Sequence, residues 1–238
     1  MELMYYVENS IIVRCELINM KKYVFPIIGF VLIVSACIGV YIYMKPSSWE
    51  SYLKESLNWP ARHFIVNNLK NIPSPKKGAV ALDLGAGVGN DTLLLLEKGF
   101  DVIAIDSEKI AFDLMLKRPE IRKHQSHLKT VQSTFQDLNF AELPNADLIV
   151  ASFSIPFCPP KYFDRFWQNL VSKIKPGGYF VGNIYSPRSR ASFKKRHDKM
   201  TFHDDQQTID LFKDFTIISK ISNSVNFEYC IIFAQKKQ

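Results

Sequence analysis

The sequence predicts an α/β fold in which helices cover both faces of a mainly parallel sheet, with one apolar membrane-spanning helix ahead of it. Three observations support this prediction. Strand-like and helix-like runs alternate from about residue 79 onward. A glycine-rich turn joins the first of these strands to the helix that follows it. An uncharged apolar stretch occupies residues 23–44, well before the first strand.

Length and composition fit one ordinary domain with an appendage. The chain has 238 residues, and its 47% hydrophobic content supplies a sizeable core, which argues against global disorder. Neither a zinc site nor a disulfide framework is indicated, because the four cysteines are far apart: Cys15, Cys37, Cys158 and Cys230. The histidines at 63, 124, 127 and 197 form no metal-binding pattern, so no metal site is predicted.

The stretch at 23–44 follows an uninformative segment, 1–22, and has the properties of a transmembrane helix. About 22 residues at 1.5 Å per residue span the roughly 30 Å hydrocarbon layer. Tyrosines lie at both ends, and lysines lie just outside them at 21, 22 and 45, as suits the headgroup zone. A buried soluble helix of this length would normally show a polar face. The sequence therefore predicts a single-pass membrane anchor.

A lipoprotein signal is an alternative for the same stretch. If translation starts at Met20 instead of Met1, two lysines, an apolar run and Val34-Ser35-Ala36-Cys37 would resemble a bacterial lipoprotein signal with Cys37 as its modified residue. Against this, the apolar run continues as far as Tyr43, whereas a mature lipoprotein usually turns polar after its cysteine.

The rest of the chain divides into N-terminal helices with a linker at 45–78 and a larger domain at 79–238. Two short helices are predicted over 49–57 and 61–69, separated at Pro60. Seven strands are predicted near 79–84, 101–105, 127–133, 146–152, 178–184, 214–222 and 227–236. The remaining helices are predicted near 90–99, 107–117, 161–174 and 206–212, with a short turn near 138–143.

The glycine-rich turn identifies the kind of ligand. Its spacing is D-x-G-x-G-x-G, with Asp83 at its start, and Asp106 follows about 20 residues later at the end of the next apolar run. Glycine lets the backbone approach a nucleotide-like ligand, and a carboxylate at that distance can accept hydrogen bonds from a ribose. A dinucleotide fingerprint would require glycine at the position of Asn90, which argues against a nicotinamide-dependent oxidoreductase.

This pattern resembles the class I S-adenosylmethionine-dependent methyltransferases. The resemblance implies a Rossmann-like, doubly wound seven-strand sheet with an antiparallel last strand, which requires a hairpin such as the short connection at 222–226. It also implies S-adenosylmethionine as the cofactor. The implied cofactor-binding residues are the turn and methionine-end residues, the ribose ligand, the adenine segment after the third strand and a serine at the amino-acid end: Asp83, Gly85, Gly87, Gly89, Asp106, Phe135, Gln136, Asp137 and Ser152.

A narrower resemblance concerns the segment 152–163, together with Trp49, Arg62 and the segment 182–185. These look like bacterial methyltransferases of the tellurite-resistance type, although the chain departs from them over 185–190. The candidate substrate-pocket residues are Arg62, Phe153, Phe157, Cys158, Tyr185 and His203. Methyl transfer from a sulfonium needs no obligatory base, so no catalytic residue is assigned.

The expected function is therefore a membrane-anchored methyltransferase that acts on a small-molecule acceptor, with no nucleic-acid partner. Lysine and arginine counts on the two sides of 23–44 are equal, so orientation rests on function: S-adenosylmethionine is made in the cytosol, which places the domain on the cytosolic side of the inner membrane. An alternative is a non-catalytic, membrane-proximal binding module that uses the six basic residues within 188–199.

Overall fold

The computed structural model describes residues 48–193, 199–223 and 228–238. The predicted segment 1–22, the predicted membrane helix at 23–44 and most of the predicted hairpin connection at 222–226 lie outside these residues. Within the described ranges, no helix is both long and apolar enough to cross a membrane.

Seven strands form one sheet in the described part of the chain. They are β1 (Val80–Leu84), β2 (Asp101–Asp106), β3 (Leu128–Gln132), β4 (Ala146–Ala151), β5 (Ile174–Tyr185), β6 (Phe215–Asn223) and β7 (Tyr229–Lys236). Their order is β3-β2-β1-β4-β5-β7-β6. In this order, the adjacent strands β3, β2, β1, β4 and β5 pair in parallel. Strand β7 is antiparallel to both of its neighbours, β5 and β6. The predicted antiparallel last strand is confirmed, and it lies between β5 and β6.

Seven α-helices accompany the strands in the same described ranges. They are α1 (Ser48–Ser56), α2 (His63–Leu69), α3 (Asn90–Lys98), α4 (Lys109–Met115), α5 (Pro119–Arg122), α6 (Pro160–Lys173) and α7 (Asp205–Leu211). The predicted helix at 107–117 is shorter than expected and is followed by the additional helix α5. The backbone of Arg118 is extended, with ψ of 123°, because the proline ring after it disfavours helical geometry at the preceding residue.

The core consists of two apolar layers, one on each face of the sheet. Successive strand residues point to opposite faces, so Leu82 packs in one layer and Ala81 in the other. Side chains of α6 and the segment after α7 fill the first layer, and side chains of α2, α3 and α4 fill the second. Both faces are therefore covered, as expected for a parallel sheet.

The fifth strand begins earlier than predicted. Ile174 already pairs with Ala146, and the register then shifts before Tyr179 pairs with Leu148. Lys175-Pro176-Gly177-Gly178 forms this irregularity, with Gly177 at φ of +75°, so the segment before the predicted start at 178 is a bulge within the strand.

Candidate active site

A cavity of about 580 Å³ opens at the carboxyl ends of β1, β2, β3 and β4. The strand order reverses between β1 and β4, which is where ligands bind in open α/β sheets. The wall residues come from α1 and from the loops after these strands, with two further residues from a later segment: Trp49, Tyr52, Leu53, Gly85, Gly87, Asp106, Ser107, Glu108, Ser133, Thr134, Phe135, Gln136, Ser152, Phe153, Ser154, Phe157, Lys199 and Met200.

The glycine turn forms one wall of the cavity. The amides of Gly85 and Ala86 donate hydrogen bonds of 2.8 and 3.0 Å to the carbonyl of Ile105, which ties the turn to β2. Gly85 has φ of +71°, and a Cβ atom there would lie 2.4 Å from the Cβ atom of Ser154. Glycine adopts this conformation without strain, and its lack of a side chain allows the loop after β4 to come so close.

Asp106 is held against the glycine turn. Its Oδ2 accepts a 2.8 Å hydrogen bond from the Gly87 amide, and its Oδ1 accepts a 2.9 Å bond from the Glu108 amide. Burial raises the pKa of Asp106, and these amide bonds oppose that shift. A carboxylate has about four lone-pair sites, so the group can still accept hydrogen bonds from ligand hydroxyls in the cavity.

The loop after β3 supplies the next part of the wall through Ser133, Thr134, Phe135 and Gln136. Phe135 also packs on Phe166 of α6, with ring centroids 4.9 Å apart, so its ring is supported from behind. This loop therefore contributes an aromatic ring and an amide side chain to the wall that Asp106 also lines, and their role at an adenine stays a prediction.

Three of the nine predicted cofactor-binding residues do not line the cavity. Asp83 is 1% exposed beneath the turn. Gly89 faces α4, where an added Cβ would lie 2.7 Å from Cγ of Met115, so this glycine permits helix packing. Asp137 accepts a 2.5 Å hydrogen bond from the Thr134 hydroxyl and borders a separate surface groove. Asp83, Gly89 and Asp137 therefore lie near residues of the cavity wall and are not part of the wall itself.

Two carboxyl groups lie beneath the turn. Burial and the nearby Asp91 charge raise the pKa of Asp83 from 3.8 to about 8, while a 2.5 Å hydrogen bond from the Thr92 hydroxyl opposes the shift. Burial also raises the pKa of Asp91, and the Arg62 amide, which donates a 2.8 Å bond to Oδ1, opposes it. Asp91 was not predicted, although its position in the first helical turn after the glycines was the available signal.

The opposite wall is aromatic. Trp49 and Tyr52 of α1 face Phe153 and Phe157 from the loop after β4, and the ring centroids of Trp49 and Phe157 are 5.1 Å apart. Phe153 has φ of +53°, and its amide donates to Oδ1 of Asn183 on β5. Phe153 and Phe157 were predicted, whereas the pattern of α1 did not reveal which of its faces borders the cavity.

Arg62 lies behind this wall and does not border the cavity itself. Its Cζ atom is 5.2 Å from the Phe153 ring and 5.3 Å from the Trp59 ring, and Nη2 donates a 3.0 Å hydrogen bond to the Tyr52 hydroxyl. The guanidinium therefore positions the aromatic wall and adds positive charge behind it.

The remaining predicted pocket residues also lie away from the wall. Cys158 is fully buried, and burial raises the pKa of its thiol to about 12. Tyr185 is buried behind Phe153, with ring centroids 6.4 Å apart, and burial raises the pKa of its hydroxyl. His203 packs on Phe163 at 4.5 Å and borders another cavity of about 250 Å³.

Asn90, the residue that departs from the dinucleotide fingerprint, ties α1 to the turn. Its Nδ2 donates a 2.9 Å hydrogen bond to the carbonyl of Ser56, and its Oδ1 accepts a 2.7 Å bond from Nη1 of Arg118. Leu53 packs on Val88 and Ala111 beside this connection. The helix that carries the aromatic wall is thus anchored to the glycine turn.

The predicted basic stretch at 188–199 is only partly described, because 194–198 lie outside the described residues. Arg188 forms an ion pair of 3.2 Å with Glu228, the Arg190 guanidinium lies 5.4 Å from the Phe202 ring, and Lys199 borders the cavity. The three described members therefore have different surroundings.

Part of the chain is similar to known methyltransferases. A family model described as a methyltransferase domain matches residues 81–178. The chain is 26% identical over 106 residues to cypemycin N-terminal methyltransferase of a Streptomyces species, and 29% identical over 109 residues to phosphoethanolamine N-methyltransferase 1 of Arabidopsis thaliana. Each match covers 44% of this chain, and 41% and 21% of the respective relatives, so the chain spans less than half the length of these curated relatives.

Solved structures share the fold. TehB from Haemophilus influenzae superimposes with a TM-score of 0.60 at 18% identity, covering 79% of this chain and 67% of TehB. The N-methyltransferase NodS from Bradyrhizobium japonicum, in complex with S-adenosylhomocysteine, gives 0.61 at 16% identity, covering 81% of this chain and all of NodS.

The cavity fits an S-adenosylmethionine-sized ligand. Its volume lies within the roughly 300–1,000 Å³ typical of small-molecule sites. Its wall combines a glycine turn, a carboxylate held by amides, and an aromatic ring beside an amide side chain. With the strand order and the methyltransferase-domain match over residues 81–178, these features are similar to those of S-adenosylmethionine-dependent methyltransferases.

Proposed function

We propose that this protein is a membrane-anchored methyltransferase that transfers a methyl group from S-adenosylmethionine to a small-molecule acceptor. The observation that carries the proposal is the Asp106 carboxylate, which two backbone amides hold on the cavity wall between the glycine turn and the Phe135 loop. This arrangement offers acceptors for ribose hydroxyls and a ring for adenine in one continuous cavity.

Different wall residues bind different parts of the cofactor. Gly85 and Gly87 let the backbone come close to the ligand, and Asp106 accepts hydrogen bonds from its ribose. Phe135 and Gln136 contact the adenine, and Ser152 lies toward the amino-acid end. The cofactor supplies an activated methyl group, and the protein contributes position and exclusion of water.

A small acceptor is proposed because of the space available. A cavity of about 580 Å³ has to hold both the cofactor and the acceptor. Helix α1 covers the aromatic side, and Leu53, which is 4% exposed, anchors it there. A macromolecular acceptor would have to reach the methyl group past this helix.

The membrane anchor is proposed from the sequence. Residues 23–44 carry no charge, and tyrosines and lysines flank them. We place the domain in the cytosol, where S-adenosylmethionine is made. Protease added to spheroplasts should leave the domain intact, whereas digestion from outside would contradict this orientation. Labelling with a radioactive fatty acid distinguishes the lipoprotein alternative, since only a lipid-modified Cys37 would incorporate it.

Activity can be tested without knowing the acceptor. Purified full-length protein would be incubated with methyl-labelled S-adenosylmethionine and a low-molecular-weight cell extract, and labelled products would be separated by mass. The wild type should yield a labelled product, and Asp106→Ala should not. The control Asp113→Ala removes an exposed carboxylate of α4 and should retain activity. Equal labelling by the wild type and Asp106→Ala would overturn the proposal.

A further inference from the structure

One part of the cavity wall indicates which kind of acceptor can bind. We call it the aromatic half, and it consists of Trp49, Tyr52, Phe153, Phe157 and Met200. Its residues belong to α1, the loop after β4 and position 200, whereas the part of the wall assigned to the cofactor belongs to the end of β2 and the loop after β3. Its side chains are large and apolar, and the rings of Trp49, Tyr52 and Phe157 make edge contacts at 5.1 to 5.8 Å. An acceptor in this half must therefore present an apolar body. The inference below rests on the proposed function.

The described wall of this half contains no histidine, cysteine or carboxylate side chain. The wall carboxylates are Asp106, the last residue of β2, and Glu108 in the loop after it, which we assign to the ribose side. His203 borders another cavity, and Cys158 is fully buried with a raised pKa. Burial likewise raises the pKa of the Tyr185 hydroxyl. The described residues of this half therefore offer no general base to an acceptor that must lose a proton during transfer.

Positive charge lies beside the same half. Lys199 borders the cavity and forms no ion pair with another described residue. The guanidinium carbon of Arg62 is 5.2 Å from the Phe153 ring, behind the wall. The Arg62 charge also acts on the buried Asp91 carboxyl, so Lys199 is the cation that counts here. Among the described wall residues of this half there is no carboxylate, so Lys199 favours an anion and opposes a protonated amine.

We propose that the methyl acceptor is a small apolar molecule whose nucleophilic atom is already anionic at neutral pH, such as an ionised thiol, enol or acidic phenol. The acceptor loses its proton to solvent before transfer. A bond then forms between its anionic atom and the methyl carbon while the carbon–sulfur bond breaks, and that electron pair stays on sulfur. Both products are neutral at the reacting atoms, so no proton needs to move in the site.

The test compares three probes that share one ring and differ in charge at pH 7.5: benzenethiol, largely ionised, phenol, neutral, and benzylamine, cationic. Affinities for the full-length protein would be measured by calorimetry in detergent micelles with saturating S-adenosylhomocysteine. Benzenethiol should bind at least about tenfold more tightly than either other probe. Lys199→Met should weaken benzenethiol binding about tenfold and leave phenol binding unchanged. The matched control Lys129→Met removes an exposed lysine on β3 and should change neither affinity.

Three results would overturn the inference: tighter or equal binding of benzylamine, no loss in Lys199→Met, or no binding of any probe while S-adenosylhomocysteine still binds. Failure of S-adenosylhomocysteine itself to bind would instead overturn the proposed function on which the inference rests. A methylated benzenethiol detected by mass spectrometry with S-adenosylmethionine present would support both.

Discussion

At the scale of single residues, the site depends on a glycine with a left-handed backbone conformation and on buried carboxyl groups. Gly85 adopts a left-handed conformation against Ser154, and Asp83 lies buried beneath the turn next to Asp91. The glycine spacing and Asp106 were predictable because they follow a local pattern. The indirect role of Asp83 was not, since burial under a helix depends on tertiary packing.

Gly85→Ala should be far more damaging than Gly78→Ala. Both glycines have positive φ, +71° and +78°, so alanine costs about 1 kcal/mol of strain at either position. Only at Gly85 would the new Cβ meet another atom, 2.4 Å away on Ser154, whereas nothing lies within 4 Å at Gly78. Urea denaturation should show an additional loss of at least about 2 kcal/mol for Gly85→Ala. Equal losses would contradict the close approach of the two loops.

Asp83 should make stability depend on pH. Because its pKa rises from 3.8 to about 8 on folding, the folded state binds the proton more tightly. Its contribution is complete below about pH 4 and is lost as the pH rises through about 8. The Tm of the wild type should therefore fall as the pH rises from 5 to 9. In Asp83→Asn, the fall in Tm over the same range should be smaller.

The comparison with Asp83→Asn uses scanning calorimetry at several pH values. Asp113→Asn, at an exposed carboxylate on α4, should retain the wild-type slope. Asp91 and Asp106 also have raised pKa values and leave some slope in every variant. An unchanged slope in Asp83→Asn would contradict a proton held at Asp83.

At the scale of elements, helix α1 was predicted from the sequence, but its role at the cavity was not. Its helical period was evident, but period alone does not identify the face that covers a cavity. Asn90 and Leu53 attach it to the glycine turn and to α4. The alternation from β1 to β5 was predictable because buried parallel strands are apolar throughout, whereas the bulge at the start of β5 depends on its pairing with β4.

Loss of the hydrogen bond from Asn90 to the Ser56 carbonyl should weaken the attachment of α1 to the glycine turn. Asn90→Asp keeps an acceptor for Arg118 but removes the donor to the Ser56 carbonyl, at a cost of about 1–2 kcal/mol. Hydrogen exchange should accelerate in α1 while β1 and β4 remain protected. Arg118→Met removes the hydrogen bonds from Arg118 to Asn90 and to the Val88 carbonyl, keeps the bond from Asn90 to Ser56, and should leave α1 exchange near the wild-type rate. Faster exchange in Arg118→Met but not in Asn90→Asp would contradict this anchoring.

At the scale of the whole molecule, a doubly wound sheet places its loops around one cavity at the carboxyl ends of its strands. The sheet, its antiparallel last strand and the glycine turn followed from local patterns and from the family resemblance. Which side chains border the cavity depends on α1 and on the loop after β4, which meet only in the folded chain. The predicted anchor at 23–44 would hold this domain beside a bilayer.

The most direct test of the account is calorimetric titration of S-adenosylhomocysteine into the full-length protein in detergent micelles. Binding of one ligand per chain is expected, with Kd in the range of about 1 μM to 1 mM that is usual for enzyme substrates. Asp106→Ala should weaken binding at least about tenfold, because a charged acceptor contributes about 1.5–3 kcal/mol, and Asp113→Ala should leave it unchanged. Absence of binding at millimolar ligand in folded wild-type protein would contradict the account.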